Sequence, residues 1–214
     1  MKMTVDSLEF SFPKSFQVIK YDDEIESFKQ LSSTMQFRCE CEKCPSHKCQ
    51  KDICDKYSDC TRKREYEGLK GIDLIAIDNN SEILYLIESK DYRKTTSPSV
   101  DHIVNEVAKK YRDTLFGIWC GSICERDVKN RNILHLARTK PYGIKFIFHF
   151  ESPNVPYSSG LFRSVQSDSN KKLVPLKNME RRLREKLQMM KDYVEVCDID
   201  SKSVHKYPWS VSER

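Results

Sequence analysis

The sequence predicts an α/β protein in which a mixed sheet is packed between helices. Three observations carry this. Two short β-branched runs, Ile72–Ile77 and Ile83–Ile87, are separated by Asp78-Asn-Asn-Ser81, the composition of a hairpin turn. A third apolar run, Ile144–Phe150, has too little alternation for a half-solvated strand and reads as a central one. Segments of helical periodicity alternate with these runs, which is the element order of a sheet covered by helices.

Taken in order, residues 9–21 alternate weakly through Phe10, Phe12, Phe16 and Val18 and suit a short strand or two. A helix is expected from Tyr21, with Asp23 and Glu26 spaced as a capping box and Ile25, Phe28 and Leu31 forming one apolar stripe. Residues 38–64 carry almost no aliphatic side chains and cannot fold around a core of their own. After the hairpin, Ser97-Pro98 is a helix start, and Val100, Val104, Val107, Tyr111 and Leu115 fall near helical spacing. A Pro/Ser-rich loop, Ser152–Ser159, follows the third strand. The last expected helix runs from about Leu176 to Val194, with Met179, Leu183, Leu187, Met190 and Val194 on one face.

The chain has 214 residues, 38% of them hydrophobic, so it can bury a core, and the reading is one domain over 1–214 with 38–64 as an insertion. With 37 basic and 32 acidic residues the net charge is +5, which permits a polyanionic partner without requiring one. No apolar run reaches the roughly 20 residues of a membrane helix, and Met1–Phe10 carries acids and no apolar h-region. The expected compartment is the reducing cytoplasm, where clustered cysteines bind metal more often than they pair as disulfides.

The hairpin carries the chemistry. A turn centred between Asn80 and Ser81 puts Asp73 opposite Glu88 and Gly71 opposite Lys90, with Glu88 and Lys90 on one face of their strand. Directly opposed side chains have Cβ atoms about 4.5–5.5 Å apart. Two carboxylates at about 5 Å repel by roughly 3 kcal/mol at an effective dielectric near 20. The site therefore calls for a cation, and Mg²⁺ or Mn²⁺ suits carboxylate oxygens, with the backbone carbonyl of Ser89 as a further ligand. Gly71 beneath Lys90 is expected to leave room for a ligand. Lys90 would orient a water and stabilise charge building on a phosphate. The bland alternative is a surface hairpin with a solvated charge cluster.

The residues Gly71-Ile-Asp73 followed, after fourteen intervening residues, by Glu88-Ser-Lys90 resemble the PD-(D/E)xK, or restriction-endonuclease-like, nuclease superfamily. The resemblance implies an αβββαβ core, divalent-metal catalysis by Asp73, Glu88 and Lys90, and a nucleic-acid substrate, DNA before RNA. Ile72 stands where the motif's name has proline. The superfamily often adds an acid from its first helix, for which Glu24 and Glu26 are the candidates. Lys94, Lys109, Lys110 and Arg112 follow the motif and are expected to reach substrate.

Cys39, Cys41, Cys44, Cys49, Cys54 and Cys60 lie within 22 positions. Thiolates at this density suit structural Zn²⁺, whose binding would supply the folding energy the segment lacks. Two zinc ions or an iron–sulfur cluster remain open because the spacing is not that of a zinc ribbon. Two rival functions stand beside the nuclease: a catalytically inactive nucleic-acid-binding module on the same fold, and a zinc-stapled protein-interaction domain. Homodimerisation is left open.

Overall fold

A computed structural model describes residues 1–34, 68–93, 99–151, 168–200 and 207–213. The six clustered cysteines, Lys94 and the expected loop at 152–159 lie outside the described residues.

The protein is α/β with a mixed five-stranded sheet. Its strands are β3 (Phe16–Lys20), β4 (Leu74–Asp78), β5 (Ile83–Asp91), β6 (Gly143–Glu151) and β7 (Val194–Cys197), in that spatial order. β3–β4 and β4–β5 pair antiparallel, and β5–β6 and β6–β7 parallel. The run Ile144–Phe150 is thus a central strand, as its composition predicts. Leu74 pairs with Ile87 and Asp78 with Ile83, the register expected from a turn centred between Asn80 and Ser81. Asp78 fixes that turn by accepting hydrogen bonds from the Asn80 amide (3.1 Å) and the Ser81 hydroxyl (2.6 Å), and Glu82 takes a left-handed φ of 54°.

Alternation along the strands divides the core in two. Ile75, Ile77, Leu84 and Leu86 face the helices: α1 (Tyr21–Glu24), α2 (Glu26–Thr34), α3 (Val100–Cys124), α4 (Val128–Thr139) and α5 (Asp168–Leu187). Leu74, Ala76, Tyr85 and Ile87 face the other way. A second sheet of β1 (Lys2–Val5), β2 (Leu8–Ser11) and β8 (Ser210–Glu213), which the sequence reading did not foresee, covers that side. The reason is aromatic: Phe10, Phe12 and Phe16 pack there with Trp209, whose ring meets Tyr85 edge-on at 4.9 Å. Aromatic pairs of this kind add about 0.5–1.5 kcal/mol beyond their buried area.

Three local expectations need correcting. The capping box at Asp23 does not form. Asp23 lies inside α1, and the chain breaks at Ile25, which is extended (φ −90°, ψ 102°) and fully buried. The N-terminus of α2 is satisfied from far along the chain: Glu125 Oε2 accepts from the Ser27 amide (2.9 Å) and hydroxyl (2.7 Å). Val194 does not continue the last helix, because a 3₁₀ turn, Gln188–Tyr193, intervenes and Val194-Glu-Val-Cys197 enters the sheet. The Arg184 guanidinium binds Val194 O at 3.1–3.2 Å and fastens the two together. Finally, α4 has no counterpart among the expected helices, although Asp127 caps it by accepting from the Asn130 amide at 2.8 Å.

Candidate active site at the end of the hairpin

β4 stops pairing with β5 at Leu74, and the groups released there build the site. The Ile72 amide turns to Thr114 Oγ1 on α3 (3.0 Å), and the Asp73 carbonyl accepts from the Tyr21 amide at the start of α1 (2.9 Å). The Ser89 amide of β5 thereby loses its ladder partner and donates to Asp73 Oδ2 instead (2.7 Å). In an antiparallel pair a residue's N–H and C=O project to the same side, so the Ser89 carbonyl shares the flank on which Asp73 lies. The Ser89 side chain lies on the opposite face, buried.

Asp73, Glu88 and Lys90 come together as the register predicts. Lys90 Nζ is 3.3 Å from Glu88 Oε1. Glu88 is fully buried, and its Oε2 has no hydrogen-bond partner among the described residues. Asp73 and Lys90 keep side-chain exposures of 13% and 26%, so the site opens to solvent along these two, with Glu88 beneath.

Two further residues enter: Lys110, expected as a substrate contact, and Asp22, which the sequence reading did not single out. Lys110, on α3, is buried, and its Nζ lies 2.7 Å from Glu88 Oε1 and 3.9 Å from Asp73 Oδ1. It is a member of the cluster rather than a surface cation. Asp22, on α1, comes close enough for the Asp73 charge to act on it. Glu24 and Glu26, the acids expected to join the site, are exposed, whereas Asp22 is half-buried and feels the Asp73 charge. Gly71 does not leave ligand space, because a Cβ there would meet Asp22 Cβ at 3.1 Å and Phe28 Cε1 at 2.9 Å. Its missing side chain lets α1 and α2 approach the hairpin.

Of the other expected substrate contacts, Lys109 is tied down by Asp113 (2.7 Å) and Gly68 O (2.8 Å). Arg112 is exposed, with its Nε bonded to Ala108 O (3.3 Å). Neither touches the cluster.

Burial sets the electrostatics. It lifts Glu88 to about 8, with the Asp73 charge adding and Lys110 and Lys90 opposing. It lifts Asp22 to about 6, again with Asp73 adding. Asp73 is raised too, by burial, against Lys110 and the Ser89 amide. Burial works against the charge on Lys90, but Glu88 and Asp73 outweigh it and raise its pKa. Three carboxylates thus face two ammonium groups, and all three resist ionising together. Burial likewise holds the Tyr111 phenol well above its ordinary value, and its hydroxyl has no partner among the described residues.

The donor set fits a hard divalent cation held by few protein ligands. Among the described residues no group of three or more His, Cys, Asp or Glu side chains is arranged to hold a metal. Two carboxylates and a backbone carbonyl are, however, the kind of partial shell in which Mg²⁺ keeps waters and substrate phosphate oxygens. The Oε2 of Glu88 is a buried acceptor with no hydrogen-bond partner among the described residues. Cys120, Cys124 and Cys197 are free thiols; Cys124 Sγ meets Cys120 O, and Cys197 Sγ meets His149 Nδ1 at 3.6 Å.

No family model matches the sequence, and no solved structure matches it. The chain is 26% identical, over 223 aligned residues, to a cysteine–tRNA ligase of Neisseria meningitidis (serogroup A, serotype 4A). The match takes in 98% of this chain but 29% of that protein, so the chain spans less than a third of the relative's length. Among the described residues, no helix is long and apolar enough to cross a membrane.

Proposed function

We propose that the chain is a divalent-metal-dependent nuclease of the PD-(D/E)xK kind, built on a restriction-endonuclease-like core. The observation that carries this is the convergence of Asp73, Glu88 and Lys90 at one solvent-reaching end of a hairpin whose register matches the motif. Asp73, Glu88 and the Ser89 carbonyl would hold Mg²⁺ or Mn²⁺. Bound there, the cation supplies Lewis-acid polarisation of the phosphodiester and acidifies water.

The chain's own residues do the rest. The Ser89 amide fixes the Asp73 carboxylate, so one oxygen is pinned while Oδ1 stays turned toward the cluster. Glu88 keeps Lys90 charged and aims its ammonium over the site, where it can donate to a non-bridging phosphate oxygen or orient the attacking water. DNA is the first substrate to test. The Neisseria relative is a tRNA ligase, which brings RNA into the same panel. A structural Zn²⁺ or iron–sulfur centre at the six clustered cysteines remains part of the proposal.

The experiment is a cleavage panel of linear, circular, single-stranded and branched DNA and of RNA. Wild type and Lys90→Ala are compared with Mg²⁺, with Mn²⁺ and with EDTA. Metal-dependent cutting lost in the variant supports the assignment; equal cutting by both ends it.

One observation favours a second reading, an inactive nucleic-acid-binding module. Lys110 already sits between the two carboxylates, so the cluster has a built-in counter-ion. That module would bind polyanion in a salt-dependent way and cut nothing under any metal.

A further inference from the structure

α3 delivers one amine into the place where the two opposed carboxylates face each other. Lys110 Nζ spans Glu88 Oε1 at 2.7 Å and Asp73 Oδ1 at 3.9 Å, and the residue is buried. Lys90 differs: among the described residues it pairs with Glu88, at 3.3 Å, and it reaches solvent. The oxygens Lys110 engages are the ones a divalent cation would take. An ammonium and a divalent ion cannot share that space, since like charges a few ångströms apart at low dielectric repel strongly.

The charge count makes the exchange favourable to complete. With their protons released, as the arrival of a divalent ion favours, Asp22, Asp73 and Glu88 carry three negative charges against Lys90 and Lys110, an excess of one. A divalent ion replacing the Lys110 ammonium brings the cluster to neutrality. The displaced lysine has somewhere to go. Glu106 lies one helical turn earlier on α3, at the i, i+4 spacing and in the order in which Glu and Lys pair best. Its side chain is partly exposed, its nearest described ion partner is the exposed His102 at 3.7 Å, and its charge already reaches Lys90. A lysine's flexible four-carbon stem allows the swing.

We propose that Lys110 is a displaceable internal counter-ion, closing the Asp73–Glu88 pair to cations until a divalent metal ion evicts its ammonium toward Glu106. The inference rests on the reading of Asp73 and Glu88 as a divalent-cation site. It makes Lys110 a positioning residue that sets the metal concentration at which the site fills, so the metal threshold is built into α3 and not only into the ligands.

Two measurements on the full chain test it. Mn²⁺ binding is titrated calorimetrically for wild type and Lys110→Met, which keeps the stem and removes the charge. The expected result is at least tenfold tighter binding in the variant, together with a larger metal-induced rise in its melting temperature. In wild type, reductive methylation read by peptide mass spectrometry reports Lys110 directly, with Lys109 as internal reference. Lys110 is expected to be protected without metal and to become reactive in saturating Ca²⁺ or Mn²⁺; this readout stands if the variant fails to fold. Equal or weaker Mn²⁺ binding by Lys110→Met, or unchanged protection in metal-loaded wild type, overturns the inference and leaves the nuclease reading intact. Tighter binding without any cleavage sinks the nuclease reading and leaves the inference standing. No metal binding by either protein removes both.

Discussion

Gly117 tests how the Asp73–Glu88 end of the hairpin is supported. It lies on α3 where that helix crosses α1 and α2. An added Cβ would fall inside the van der Waals envelope of Tyr21 Oη and 2.7 Å from Phe28 Cδ2, against normal carbon contacts of about 3.5–4.0 Å. Neither ring can swing aside, since Tyr21 is fully buried and Phe28 nearly so, and their centroids are 4.8 Å apart. Overpacking of this kind costs about 1–3 kcal/mol, and with two ring atoms in the way we take the upper end. Helix propensity returns about 1 kcal/mol on replacing Gly by Ala. Gly117→Ala should therefore lose about 2 kcal/mol in urea denaturation, and the Tm should drop by about 4–8 °C for a chain of this size. Because Tyr21 precedes Asp22 directly, cleavage should fall as well. Tyr21→Phe removes the nearest clashing atom and a buried hydroxyl without a partner among the described residues, so alone it should be neutral or mildly stabilising. Combined with Gly117→Ala it should recover much of the loss, a positive coupling in the double-mutant cycle. A Gly117→Ala protein as stable as wild type would refute the packing argument.

Three further outcomes follow from the same structure. Asp73→Asn keeps an acceptor for the Ser89 amide and should hold stability within about 1 kcal/mol while cutting falls at least about 100-fold; Asp73→Ala strands that amide and should cost about 1–3 kcal/mol in addition, both read by denaturation and by gel assay. Because Asp22 and Glu88 hold their protons up to about 6 and 8, metal binding must release protons, so Mn²⁺ affinity should rise across pH 6 to 8, and Asp22→Asn should flatten the lower part of that rise in calorimetry. Asp91 is pulled below its ordinary 3.8, first by hydrogen bonds from Arg93, so its stabilisation is present above that pH and lost as pH falls toward the depressed value; Asp91→Asn should cost about 1–2 kcal/mol at pH 7, with the difference from wild type closing below pH 4.

The hairpin was the legible part because everything that sets it is local. Asp78 and its neighbours fix the turn, period-two alternation fixes the faces, and counting then places Asp73 against Glu88. What sequence reading missed is fixed from a distance. The break at Ile25, which presents Asp22 rather than Glu24 or Glu26, depends on Glu125 capping α2 from nearly a hundred residues away. Lys110, expected to reach substrate with Lys109 and Arg112, instead sits between Val107 and Thr114 on the buried stripe of α3. That position was a usable signal. The helix at Val128–Thr139 was also readable, from Asp127 as cap and from Ile133, Leu134 and Ala137 as one face. The second sheet was harder to see, because each of its strands has four residues and gains its stability only by stacking aromatics on the first.

The strand that bears Glu88 and Lys90 does not fray after them. Asp91 binds Ser7 from the β1–β2 turn, while Arg93 grips Asp91, Ser7 and Glu213 of β8. The earliest and latest described stretches of the chain are thereby riveted to the rail that carries Glu88 and Lys90. Wear at that rivet would register first as a drifting lysine at the Asp73–Glu88 end, well before the protein came apart.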